Sequence, residues 1–151
     1  MLEFKLIRGM DGYLAAKPLR KAIFTEELGL REDRDEWDQM AWHIVGYDHG
    51  EVIGCARMYP VGEGVFQIGR VSVKKEYRNA YVGDTIMRAL EDKAVSLCGY
   101  KTVVSAQKNA VGFYEKEGYT KVGEEYPEQN CLHQRLEKDL TKPHRRCQCH
   151  T

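Results

Sequence analysis

The stretch "GRVSVKKEYRNAYVGDTIMRAL" joins a strand-like run to a helix-like one, and the loop between them, "KKEYRNAYVGD", has the make-up of an anion cradle. The first-turn N–H groups of a helix have no partner inside the helix, and together with the helix dipole they attract phosphate. Arg78 adds a cation at the loop entrance. An ordinary strand-to-helix connection carries the same pattern, and one residue is out of place for a cradle. Tyr81 stands where such loops carry a glycine, which reaches φ > 0 at no steric cost. Most donors in such a loop are backbone N–H groups, and tyrosine keeps one, so anion binding is expected to survive with altered affinity.

Other residues could move protons or hold metal. Glu27, His43, Glu128 and His133 are candidate bases. Glu27 also reads as a solvated helix-end carboxylate and His43 as a hydrogen-bonded strand histidine, while His133 reads equally as structural or functional. The C-terminal "HRRCQCH" holds His144, Cys147, Cys149 and His150, but ligands so closely spaced do not easily surround one tetrahedral zinc. Residues 141–151 are expected to form a flexible tail, with no metal bound.

The elements that must position these groups follow from periodicity. "LEFKLI" alternates like a first strand, and apolar Leu14, Leu19, Ile23 and Leu28 recur near the helical period in the segment from Gly12 to Leu28, where Pro18 starts or kinks a helix. After the charged connection "LREDRDEWDQ" come "WHIVGY", "EVIGCARMY" and "VFQIGRVSV", three strands separated by turn-like "DHGE" and "PVGEG". From Asp84 the apolar face Ile86, Leu90, Ala94 and Leu97 predicts a helix closed by Gly99 as its C′ residue. "YKTVVSA" reads as a buried strand, "AVGFYEKE" as a short helix ended by Gly118, and "YTKV" and "CLHQRLEKDL" as the last strands. The order is β, α, three β, α, β, α, β, β. It predicts one α/β domain over residues 1–140, with a mixed, mostly antiparallel sheet and helices on both faces.

Composition bounds the functions open to this chain. At 151 residues it buries enough surface to need neither disulfide nor metal. Its 23 basic and 23 acidic side chains cancel, which points away from nucleic acid and acidic membranes as partners and leaves a homodimer open. Five cysteines without a framework spacing, and no signal-like or membrane-length apolar run, predict a reduced, cytoplasmic protein.

The loop and its surroundings resemble the GNAT N-acetyltransferase superfamily, whose (R/Q)-x-x-G-x-(G/A) loop follows a V-x-V strand. Here Val71-Ser72-Val73 precedes Arg78-Asn79-Ala80-Tyr81-Val82-Gly83, with Tyr81 as the departure. "AQKNAVGFYEKEGY" is similar to the family's N-x-x-A-x-x-F-Y-x-x-x-G-F segment, with Gln107 in the asparagine position and Tyr119 in that of the last phenylalanine. The Ala-Gln pair, "AIFTEELG", "DEWDQMAWHIVGY", "GCARMY", "IGRVSV" and "EEYPEQNCLHQRL" resemble the ElaA/YjcF-like branch, over about residues 4 to 140.

The resemblance implies a GNAT-like fold and acetyl-CoA as co-substrate, lying between two splayed central strands. It implies that the backbone of Val71, Ser72 and Val73 pairs with the pantetheine arm, that Arg78, Asn79, Ala80, Tyr81, Val82, Gly83 and Asp84 hold the pyrophosphate, and that Gln107 also faces the cofactor. Tyr114 falls at the place of the general acid that protonates the departing thiolate. Acetyl transfer needs a neutral amine, an oxyanion donor and an acid for the leaving sulfur, so a tyrosine suits that place chemically. Glu27 matches the branch's F-x-x-E, and it and His133 are candidate substrate-side residues. No cysteine falls where a nucleophile would stand, so direct transfer in a ternary complex is expected. A CoA- or acyl-CoA-binding sensor without catalysis is the rival reading. Many acidic residues in "TEELGLREDRDEWD" and "GEEYPE" read either as a solvated acidic surface, the more frequent case, or as the seat of a cationic acceptor amine.

Overall fold

Alternating side chains and β-branched runs give the first strands. β1 is Leu2–Arg8, β2 Trp42–Asp48, β3 Glu51–Gly62 and β4 Val65–Val73. Helix α1 (Met10–Arg20) lies between β1 and β2, and after β4 come α2 (Val82–Ser96), β5 (Lys101–Gln107), α3 (Val111–Lys116), β6 (Thr120–Glu128) and β7 (Cys131–Asp139). This is the predicted order. The computed structural model describes residues 1–29, 34–78 and 81–141, so most of the C-terminal tail lies outside the described residues. The strands form one seven-stranded mixed sheet in the order β1-β2-β3-β4-β5-β7-β6. No helix among the described residues is long and apolar enough to cross a membrane, and none of their His, Cys, Asp and Glu side chains form a group of three or more placed to hold a metal ion.

The chain divides into two compact units, Met1–Tyr59 with Ile68–Leu90, and Pro60–Gln67 with the chain from Glu91 onward. In the first, β1, β2 and β3 pair antiparallel in sequence order. One face of these strands meets α1 and the turn after it, where Ala16, Leu19 and Ile23 pack with Val45 and Cys55. Successive strand residues face opposite ways, so Gly54 looks to the other side. There a Cβ on Gly54 would stand 2.8 Å from the Val82 side chain and 2.9 Å from Ile86, both on α2. Helices therefore cover both faces. In the second unit β7 pairs antiparallel with β5 and with β6, and β6 carries an irregularity between Val122 and Tyr126.

Three boundaries differ from expectation. Helix α1 starts at Met10 and holds Pro18 inside it, and a wide π-type turn runs on from Lys21 to Glu27. Proline cannot donate the helical hydrogen bond, and the wider turn is one way a helix absorbs such a defect. α2 begins at Val82, two residues before Asp84. Its C-terminus turns left-handed at Cys98 (φ 66°), not at Gly99. The Cys98 N–H donates to the Val95 carbonyl at 3.0 Å and the Gly99 N–H to that of Ala94 at 2.7 Å, which is the Schellman pattern with Gly99 one place later. Gly99 is needed there for space, because a Cβ would come within 2.8 Å of the Phe66 ring.

Candidate functional site

In the first unit the strand leading to the loop is bent. Arg70 sits at φ 52°, out of the extended region, and the Ser72 hydroxyl donates to its carbonyl at 3.2 Å. Val71 and Val73 flank the buried Ser72. Lys75–Tyr77 form a tight 3-10 turn, and Arg78 follows in extended conformation, its Nε donating to the Val73 carbonyl at 2.8 Å. Asn79 and Ala80 lie outside the described residues.

Tyr81 then takes φ 64°, the left-handed conformation for which a glycine is the usual residue, and its side chain is 82% exposed. Its carbonyl accepts the Thr85 N–H and the Thr85 hydroxyl, both at 2.9 Å, so Tyr81 is the residue before the first turn of α2. Helical geometry gives the N–H groups of Val82 and Gly83 no acceptor inside the helix. The tyrosine keeps the glycine-type backbone path and turns its bulk outward. A phosphate-bearing cofactor such as an acyl-CoA fits this arrangement, since Tyr81 keeps a left-handed backbone and the N–H groups of Val82 and Gly83 have no acceptor inside the helix.

Arg78 also grips Glu27, its Nη2 standing 3.2 and 3.3 Å from the two carboxylate oxygens. Two residues from distant segments thus meet as an ion pair. The neighbouring acidic residues are engaged in the same way. Arg20 holds Asp38 with two hydrogen bonds of 2.8 and 3.2 Å in the buried interior, and Arg57 holds Asp35 two-pronged while standing 3.0 Å from Asp38. Arg70 reaches Asp35 at 3.3 Å. Burial pushes the Asp38 carboxyl up, but the Arg20 hydrogen bond and the charges of Arg20 and Arg57 outweigh it and bring it down to about 2. Of the acidic residues expected to meet a cationic guest, Glu27, Asp35 and Asp38 are thus paired with arginines, and Glu32 and Asp33 lie outside the described residues. His43 is 1% exposed, its Nε2–H donates to the Asp38 carbonyl at 3.1 Å, and burial lowers its proton affinity. It is a structural histidine.

In the second unit α3 has only six residues, ended by Gly118 at φ 99° as expected. It presents Tyr114, 8% exposed, whose ring meets Phe113 and Tyr119 edge-on at centroid distances of 5.0 and 6.0 Å. Burial raises the Tyr114 hydroxyl well above an ordinary phenol, so it stays protonated at neutral pH, and no side chain among the described residues hydrogen-bonds to it. Tyr119, in the phenylalanine position, is buried with its hydroxyl donating to Glu91 at 2.8 Å and 2.9 Å from the Thr102 hydroxyl. Lys138 completes this group with a 2.9 Å bond to Glu91. The extra hydroxyl is thus satisfied.

Gln107 ends β5 directly opposite His133 on β7, and His133 is opposite Tyr126 on β6. Directly opposed residues project to one face. Gln107, His133 and Tyr126 therefore line the same side. His133 is 5% exposed, its Nδ1 lies 3.1 Å from the Cys131 carbonyl, and its Nε2 is 3.9 Å from Glu128. Tyr126 stacks beside the imidazole at 6.1 Å between centroids, with its hydroxyl bonded to Ser105. Sequence reasoning singled out neither Tyr126 nor the Asp35–Arg57 pair. Alternation in "EEYPE" marks Tyr126 as a strand residue, but only the pairing register puts it beside His133.

Comparison with known proteins bears on both units. The model of the acetyltransferase (GNAT) domain matches residues 18–140. YjcF of Bacillus subtilis, named as an uncharacterized N-acetyltransferase, is 33% identical over 124 residues, covering 80% of this chain and 88% of YjcF. The fold is that of Escherichia coli ElaA, with a TM-score of 0.81 at 24% identity over 92% of this chain and 100% of ElaA. An acyl-CoA N-acyltransferase from Pseudomonas aeruginosa shares it at a TM-score of 0.79 and 22% identity, over 91% of this chain and 99% of that one. With a family match over most of its length and a relative one-third identical, the chain belongs to the GNAT acetyltransferase family, in its ElaA/YjcF-like branch, and is an acyltransferase.

Proposed function

We propose that the chain is an acetyl-CoA-dependent N-acetyltransferase, a single domain over residues 1–140, which passes the acetyl group directly to a primary amine of a small molecule or protein in a ternary complex. The observation that supports this reading is the left-handed backbone of Tyr81 just before α2, the conformation for which an anion-binding loop usually carries a glycine. Val82 and Gly83 offer backbone donors to the pyrophosphate, together with Asn79, Ala80 and Tyr81 and with Asp84 beside them, and Arg78 adds a cation that Glu27 holds in place. The backbone of Val71, Ser72 and Val73 pairs with the pantetheine arm, a reading that the positive φ of Arg70 just before them supports. Acetyl-CoA supplies a thioester carbonyl that an unprotonated amine can attack. Tyr114 holds a proton for the leaving sulfur, and Gln107 adds a polar contact at the end of β5.

The experiment is Tyr114→Phe. The ring and its packing stay and the proton donor goes, so kcat should fall about 10²-fold, near the low end of general-acid effects, with acetyl-CoA Kd almost constant. If the hydroxyl only satisfied a local bond, the variant would keep its rate and lose about 1 kcal/mol of stability. A CoA-binding sensor would show itself by binding acetyl-CoA with no thiol release in the presence of any amine.

A further inference from the structure

We propose that His133, Glu128 and Tyr126 form the cradle that binds the acceptor's ammonium group and deprotonates it, an inference that rests on the acetyl-transfer reading above. A carbonyl oxygen can only accept, so the 3.1 Å contact between Nδ1 of His133 and the Cys131 carbonyl places the hydrogen on Nδ1. In the neutral ring the lone pair is then on Nε2. This is the opposite of His43, where Nε2 donates to Asp38. The basic nitrogen of His133 faces Glu128, whose carboxylate is 3.9 Å away, too far for a hydrogen bond between them. Two acceptors at that separation suit one ammonium nitrogen: with bonds of about 2.8 Å to each, the angle at nitrogen is roughly 90°, within reach of the tetrahedral N–H directions.

The surroundings select for such a guest. Tyr126 walls one side of the imidazole and is itself held by Ser105, and its ring face attracts a cation. Glu128 is half exposed, so its carboxylate can be reached from solvent, whereas His133 is buried. Titratable and charged groups near the imidazole are Glu128 and Tyr126 on β6, Cys131 and Arg135 on β7, and Lys108 in the turn after β5. Lys108 is paired with Glu125 and Arg135 with Glu137, which leaves Glu128 to meet the ammonium.

The protons balance as follows. The ammonium gives one proton to Nε2, and the nitrogen's freed electron pair forms the C–N bond to the acetyl carbonyl carbon while the C–S bond breaks. The sulfur's pair takes the Tyr114 proton, the nitrogen's second proton restores Tyr114 through solvent, and the imidazolium returns its own to solvent. The products are an amide, a thiol and one proton.

The test uses the full chain with 15N-labelled histidine and butylamine as the probe. NMR should show His133 protonated on Nδ1 and bare on Nε2. Butylamine should shift the Nε2 signal, tetramethylammonium, a cation without N–H, should not, and Glu128→Gln should weaken the butylamine response at least about 5-fold. His133→Gln should lower kcat/KM for butylamine about 10²-fold and flatten its pH dependence, with acetyl-CoA Kd unchanged. A ring protonated on Nε2, a His133 signal blind to butylamine, or a His133→Gln variant with wild-type rate and pH profile overturns the proposal. Failure of the wild type to bind acetyl-CoA would sink the acetyl-transfer reading instead, while the NMR titration still decides the cradle.

Discussion

An L-residue in the left-handed region costs about 1–2 kcal/mol against its Cβ, and Tyr81 bears that cost with its side chain in solvent, where little packing offsets it. Tyr81→Gly removes the clash but frees the unfolded chain, which takes back about 0.4–1 kcal/mol. The expected outcome is an unfolding free energy raised by about 0.5–1 kcal/mol in denaturant titrations, with CoA affinity equal or tighter by titration calorimetry. Weaker binding would mean that the phenol itself touches the cofactor. The same scale separates the histidines: each donates one N–H to a carbonyl, and which nitrogen does so leaves His43 closed inside the core and His133 with its lone pair towards a carboxylate. Residue type alone cannot tell these apart, because the tautomer is set by a carbonyl that the fold brings near.

The connection before β2 is tied down by charge, since Asp35 caps the 3-10 turn Glu36–Gln39 and Asp38 lies buried against Arg20. Asp38 is held at about 2, below the ordinary carboxylate value, so its contribution is present above about pH 4 and is lost as pH falls through about 2. At roughly 1.4 kcal/mol per unit this is about 2 kcal/mol, and urea midpoints measured from pH 7 down to pH 2 should fall accordingly in the wild type and be flatter in Asp38→Asn, which starts from a lower stability. The elements themselves were legible: their order follows from apolar period and turn residues. Less legible were the boundaries, because Pro18 is tolerated inside a helix that relaxes into a wide turn, and because Cys98 takes a left-handed position next to a glycine better suited to it. The acidic connection reads as a charged surface, since its arginine partners lie on β3, β4 and α1, far along the chain.

For the molecule as a whole, balanced charge leaves no long-range field to draw in an anionic cofactor, so recognition falls to the loop and its immediate neighbours. Binding of CoA to the folded chain alone should stabilise all of it: at 100 times Kd the gain is about 2.7 kcal/mol, or a Tm higher by about 5–10 °C for a chain of this size. Pantetheine, without the pyrophosphate, should give a much smaller shift at the same concentration, and an equal shift would remove the loop from recognition. Local motifs made the loop and Tyr114 legible, whereas the His133 face depends on strand register, which a single sequence does not display.

That register gives segment length a meaning of its own. Between Val122 and Tyr126 the outermost strand takes four steps while its neighbour takes two, and the Gln134 amide donates to the carbonyls of Val122 and Gly123 at 3.2 and 3.1 Å. Side chains alternate with each step, so removing one residue here would rotate Tyr126 and Glu128 to the far side of the sheet, and removing two would restore a plain ladder with both still beside His133. In this chain, then, the length of the segment at this bulge should govern acceptor binding more sharply than the identity of any residue inside it.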